Sequence, residues 1–109
     1  MAAKTEKRRI RPERTGGTAL YEAISAMPGP DDAAGFMSDL CTPHELAALE
    51  QRFAVACRIS AGMTYAAITA ETGASSAIIS RVSRAMNGGT GVLEAAARTW
   101  QPEKQEKAE

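Results

Sequence analysis

The sequence predicts an all-α fold of about six helices containing a helix-turn-helix, and three observations carry that expectation. Hydrophobic residues make up 44% of the chain but aromatics only 5%, and Ala is by far the commonest residue. The core must therefore be built from small and aliphatic side chains on closely approaching helices. Apolar residues recur at helical spacing, with neither an alternating strand pattern nor an internal repeat. Helix starts and stops carry hydroxyl caps, prolines and glycines where helix ends need them. A chain of 109 residues has room for one domain with a thin core, which a second copy can complete.

Residues 1–17 are poor in apolar side chains and end in Gly16-Gly17, so they read as a flexible basic arm; 18–101 read as the folded domain and 102–109 as a charged, disordered tail. The first helix carries Leu20, Tyr21, Ile24 and Met27 and is closed by Pro28-Gly29-Pro30. Asp31 and Asp32 favour a second helix N-terminus, with Phe36, Met37 and Leu40 on its apolar face. Thr42-Pro43-His44-Glu45 places a capping hydroxyl, a first-turn proline and a Glu three residues after the cap, the signature of a capping box. A long third helix follows through Leu46, Leu49, Phe53, Ala56 and Cys57 to Ala61, with Gly62 placed to end it. Thr64 to Thr72 and Ser75 to Met86 read as two short helices around Gly73, the second stopped by Asn87-Gly88-Gly89. A last helix is expected from Val92 to Trp100, before Pro102.

The formal net charge is zero, yet the charges are segregated. Lys4, Lys7, Arg8, Arg9, Arg11 and Arg14 face only Glu6 and Glu13, whereas six acidic residues from Glu22 to Glu50 precede Arg52 and Arg58. A neutral sum is thus compatible with nucleic acid, because binding depends on where the bases cluster. The arm reads equally as a solubilising terminus or as a DNA-contacting one. Cys41, Cys57 and the single His44 have no zinc-site spacing, and both cysteines read as small buried hydrophobes. No apolar run reaches the ~20 residues of a membrane span, which gives the expectation of a soluble, cytoplasmic protein. There is no His-centred dyad, carboxylate pair or phosphate-cradling loop to suggest an enzyme.

Tyr65 to Arg84 has helix-turn-helix spacing. Gly73 can take the left-handed backbone of the turn, small Ala74 lets the chain pass close to the first helix, and Ile68, Ile79 and Val82 are inward positions. Ser75, Ser76, Ala77, Ser80, Arg81 and Arg84 then face outward; none is acidic, and hydroxyls and arginines suit phosphates and guanine edges in a major groove. Gly73-Ala74-Ser75-Ser76 also offers N–H groups and hydroxyls at a helix N-terminus, a natural phosphate contact. Thr69 stands where the first motif helix usually packs a small Ala, and its hydroxyl can bond back to its own helix.

With Leu20-Tyr21-Glu22-Ala23-Ile24, Asp39-Leu40-Cys41-Thr42, Glu45 to Leu49, Gln51-Arg52-Phe53, Gly62 to Tyr65, Glu71 to Ser75 and Ile79-Ser80-Arg81-Val82, the chain resembles the trp operon repressor superfamily, specifically its YerC/YecD branch. The resemblance implies a trp-repressor-like helical bundle, an intertwined homodimer whose two helix-turn-helix units read double-stranded DNA half-sites ~34 Å apart. It assigns Leu20, Ile24, Phe36, Leu40, Leu46, Leu49 and Phe53 to a shared dimer core. Relatives often touch DNA from the first motif helix, here through Tyr65 and Ala66; Ala66 and Thr69 offer few phosphate contacts, which the arm can supply instead.

The resemblance further carries an effector pocket onto Thr42, Arg52 and Arg81. Thr42 also has a structural explanation as a cap, and Arg52 as an ion-pair partner on the helix surface. Val82 replaces the family's glycine beside the last arginine, and its β-branched side chain should fill the space an indole needs. No cofactor and no tryptophan binding are therefore expected, with a different or smaller effector left open. The expected function is a DNA-binding transcriptional regulator, as a repressor. The rival is a helical dimeric module that binds a protein of the transcription machinery or a toxin-antitoxin partner.

Overall fold

The computed structural model describes residues 17–100. The arm up to residue 16 and the tail at 102–109 lie outside the described residues. Six α-helices are present among the described residues and no strand: α1 (Ala19–Ala26), α2 (Pro30–Leu40), α3 (Pro43–Ser60), α4 (Tyr65–Thr72), α5 (Ser76–Gly88) and α6 (Val92–Ala97). The chain divides into two compact units, with the boundary between Leu49 and Glu50 inside α3. No described helix is long and apolar enough to cross a membrane.

In the N-terminal unit each helix start has a local cause. The Thr18 hydroxyl donates to Glu22 Oε2 at 2.8 Å and the Glu22 N–H returns to Thr18 O at 2.9 Å, fixing the first turn of α1. α1 ends at Met27, whose extended backbone is what the following Pro28 demands. α2 begins with Pro30, which loses no helical bond there, and with Asp31 and Asp32 on the positive end of the helix dipole. At α3 the capping box is complete: the Glu45 N–H donates to Thr42 Oγ1 at 3.1 Å and the Thr42 N–H donates to Glu45 Oε1 at 2.8 Å.

Among the described residues of this unit none is fully buried, and neither α1 nor α2 contains one. Of the apolar residues assigned to the shared core, Leu20, Ile24, Leu40, Leu49 and Phe53 are 40–57% exposed in the single chain, and Phe36 and Leu46 are half-buried. Cys41 departs from the expectation. It is the extended cap residue of α2 and half-buried, whereas Cys57 is buried at 2% exposure.

The core lies in the C-terminal unit. Val55, Ala56 and Cys57 of α3, Ile68 of α4, Ala74 of the turn, Ile79, Val82 and Met86 of α5 and Ala97 of α6 are buried, with Ile59, Met63, Ile78, Leu93 and Trp100 packed around them. Three of these nine buried residues are alanines, as the composition requires of a core with few aromatics. Ile68, Ile79 and Val55 are its largest fully enclosed side chains, each contributing about 1.5–3 kcal/mol by leaving water.

Two helix ends differ from the sequence expectation. α5 runs through Asn87 to Gly88 and is stopped by Gly89, where an added Cβ would sit 2.5 Å from the Ala85 carbonyl oxygen. α6 stops at Ala97 instead of reaching Trp100. Beyond it the Thr99 and Trp100 N–H groups bond three residues back, to Ala96 O and Ala97 O, and the Thr99 hydroxyl donates to Ala96 O at 2.8 Å. The last turn is thereby tightened out of α geometry.

Candidate nucleic-acid interface

The two helices of the motif are defined at their ends by side chains. α4 starts where the Thr64 hydroxyl accepts the Ala67 N–H at 3.1 Å. It ends at Gly73, which takes the left-handed conformation (φ +76°) and donates its N–H to Thr69 O at 2.8 Å. The Thr72 hydroxyl spans the turn, donating to Ile68 O at 2.8 Å and accepting from the Ala74 N–H at 3.2 Å. Gln51 Nε2, from α3, donates to Thr72 O at 3.1 Å. Ser75 then opens α5, its hydroxyl accepting the Ile78 N–H at 3.2 Å. Ser76 and Ala77, the first residues of α5, have N–H groups with no carbonyl within the helix to bond.

α5 has two clearly different faces. Ile79, Val82 and Met86 are buried, whereas Ser76, Ala77, Arg81 and Arg84 are exposed and Ser80 is half-buried. The helix contains no Asp or Glu. Among the described residues the ion pairs are Arg58–Glu71 and Arg98–Glu94, so neither Arg81 nor Arg84 has its charge offset by one. The outer surface is thus small, hydroxylic and cationic at i, i+4 and i+8 spacing, and fits an anionic groove. The expected inward residues Ile68, Ala74, Ile79 and Val82 are all 3% exposed or less.

The remaining sequence-predicted residues are placed as follows. Tyr65 and Ala66 are exposed on the first turn of α4. Ser75 is exposed, with its hydroxyl oxygen engaged as the α5 cap. Thr69, expected to pack and to bond back, is exposed instead; Thr72, one turn end further on, makes the bond back into α4. Thr42 is the cap of α3, and Arg52 and Arg81 are exposed on their helices. Arg52 takes no part in either ion pair found among the described residues, contrary to its reading as an ion-pair partner.

Arg58 is the side chain whose contacts the sequence did not reveal. Its Nε donates to Glu71 Oε1 at 2.8 Å, its Nη1 donates to Ala54 O at 3.0 Å, and its guanidinium lies 4.6 Å from the centre of the Trp100 ring. The partners lie 13 and 42 positions away in sequence, too distant for any local periodicity to signal the contact. Beside it, burial pushes the Cys57 thiol above its ordinary value, with the Arg58 charge opposing in part. That thiol packs within the core.

Two capped helices joined by a left-handed glycine, one face buried and the other cationic, define a helix-turn-helix protein of the all-helical class. The family described as Trp repressor protein matches residues 17–99. The chain belongs to the Trp repressor family, a family of regulatory DNA-binding proteins. It is 42% identical over 77 residues to the protein YerC of Bacillus subtilis (strain 168), itself described as uncharacterized, covering 71% of this chain and 74% of YerC. The fold matches the crystal structure of a TrpR-like protein from Eubacterium eligens ATCC 27750, with a TM-score of 0.67 and 40% identity over 71% of this chain and 79% of that one. It also matches a proposed Trp repressor from Staphylococcus aureus, with a TM-score of 0.66 and 40% identity over 71% of this chain and 77% of that one.

Proposed function

We propose that the protein is a sequence-specific transcriptional regulator, acting as a cytoplasmic homodimer and as a repressor, with α5 as its recognition helix in the DNA major groove. The observation that carries this reading is the division of α5 into an apolar buried face and an exposed face bearing Ser76, Ala77, Arg81 and Arg84 with no carboxylate. The Ser76 and Ala77 N–H groups suit a phosphate at the helix N-terminus, and Tyr65 with Ala66 flanks the groove from α4. The exposed apolar residues of α1, α2 and α3 favour a second copy as the partner that covers them.

Tryptophan is not the effector in this proposal. Supporting this, Val82 beside Arg81 is 3% exposed on the inner face of α5, where a β-branched side chain competes with an indole for space. Thr42 is occupied as a cap, and an effector of other chemistry would have to use Arg52 or Arg81 from the surface.

In vitro selection from random duplex DNA, without added ligand and at two salt concentrations, tests the proposal. The expected result is enrichment of a pseudo-palindrome with half-sites about one helical turn apart. Arg81→Ala and Arg84→Ala should then each relax particular base positions by about 1–3 kcal/mol. Steeply salt-dependent binding without enrichment would refute specific reading and favour a protein partner.

A further inference from the structure

Arg58 joins two helices and the segment after a third, parts of the C-terminal unit that are far apart in sequence. From α3 it grips Glu71 in the last turn of α4 at 2.8 Å, and Trp100, beyond α6, covers its guanidinium at 4.6 Å. The arginine side chain is 19% exposed and its glutamate partner 50%, so the sheltered member of the pair is the cation. A second contact lands on the adjoining residue, Gln51 Nε2 on Thr72 O at 3.1 Å. Gln51 and Arg58 are seven positions apart on α3, two turns along one face. α3 therefore holds α4 at two consecutive residues, immediately before the left-handed Gly73 that sets the direction in which α5 departs.

We propose that Arg58 is a positioning residue for DNA reading: with Glu71 as its partner and Trp100 as its cover, it fixes the aim of α5. This rests on the DNA-binding function proposed above. Non-specific binding depends on charge and tolerates a small error of aim, whereas hydrogen bonds to base edges do not. Removing the grip should therefore weaken binding to the selected sequence far more than binding to random duplex. An arginine is required because only a planar guanidinium can donate through Nε to a carboxylate while lying flat over an indole.

The test measures affinity for a selected and a random duplex at one salt concentration, using the full chain and the variants Arg58→Ala, Glu71→Gln and their double. A charge change near DNA shifts both affinities alike and cancels in their ratio. Each single variant should lower the ratio about fivefold, the size of a mild base-pair mismatch, and the double should lower it no further. Trp100→Phe, which keeps a ring over the guanidinium, should preserve the ratio. Trp100 is the single tryptophan of the chain, so its emission reports the stack without DNA and should shift in Arg58→Ala. Glu71 is half-exposed, so Glu71→Gln folds even if Arg58→Ala does not. An unchanged ratio in Glu71→Gln, equal losses on both duplexes, or additive effects in the double overturn the positioning role alone. An unmodified chain that binds all duplexes alike overturns the DNA-reading function, and this role with it.

Discussion

Replacing Gly73 by Ala isolates what the turn of the motif requires of its backbone. Gly73 sits at φ +76° and ψ 2°, and a Cβ built there would meet only Gln51 Nε2, at 3.9 Å. That is ordinary contact with the end of a flexible side chain, so the expected loss is the left-handed strain of an L-residue alone, about 1–2 kcal/mol. For a domain of this size each kcal/mol moves Tm by about 4–8 °C, which gives a drop of roughly 4–16 °C. Far-UV circular dichroism melts at one fixed protein concentration measure it, because self-association makes Tm depend on concentration. Gly73→Asn should recover much of the loss, since Asn tolerates the left-handed region. Gly89 provides the contrast: its φ of −94° is open to any residue, but a Cβ would lie 2.5 Å from Ala85 O, so Asn should be no better than Ala there. The reasoning is refuted if Gly73→Ala is as stable as the parent, or if Asn at 73 melts no higher than Ala.

Ile79→Ala removes one of the largest fully enclosed side chains and should cost about 2–5 kcal/mol, read as a fall in the urea midpoint. Thr42→Ala should lose about 1 kcal/mol by opening the capping box, while Thr42→Ser, which keeps the oxygen, should lose less; thermal melts of the pair check this. Cys57 gives an alkaline dependence: burial raises its folded value above the ordinary 9.0, so the folded state retains the proton that the unfolded chain releases. Its contribution to stability is therefore complete below that ordinary value and declines as pH rises through the folded one, a slope that unfolding curves should lose in Cys57→Ala. Native-state alkylation should modify half-buried Cys41 before Cys57.

The motif was legible because its signals are local. Gly73, Ala74, Ile68, Ile79 and Val82 each serve a demand set within a few residues, and all five take the places their spacing implied. The Thr42–Glu45 box was legible for the same reason. The stop of α5 was legible as Asn87-Gly88-Gly89, but a glycine can be carried inside a helix, and the contact at Ala85 O singles out Gly89 among the three. The end of α6 was misplaced because a hydroxyl at Thr99 competes for the carbonyl of Ala96, which apolar periodicity ignores. Thr69 departs in sequence from the small Ala usual at its place, and it is exposed, while the neighbouring Ile68 fills the interior as its spacing implied. Arg52 and Arg58 look alike in sequence; only the fold brings Glu71 and Trp100 to the second.

The two-faced build of α5 bears on how such proteins diversify. Ile79, Val82 and Met86 hold the helix in place, while exchanges at Ser76, Ala77, Arg81 and Arg84 remove no buried contact. Surface changes of that kind alter stability by about 0.5 kcal/mol or less, so they can accumulate without threatening the fold. Ser75 is the exception, because it is tied to the Ile78 N–H as the helix cap. Under the proposed reading of DNA by α5, lineages descended from one such chain can drift to new operator sequences by substitutions on the outer face of a single helix, leaving the scaffold beneath unaltered.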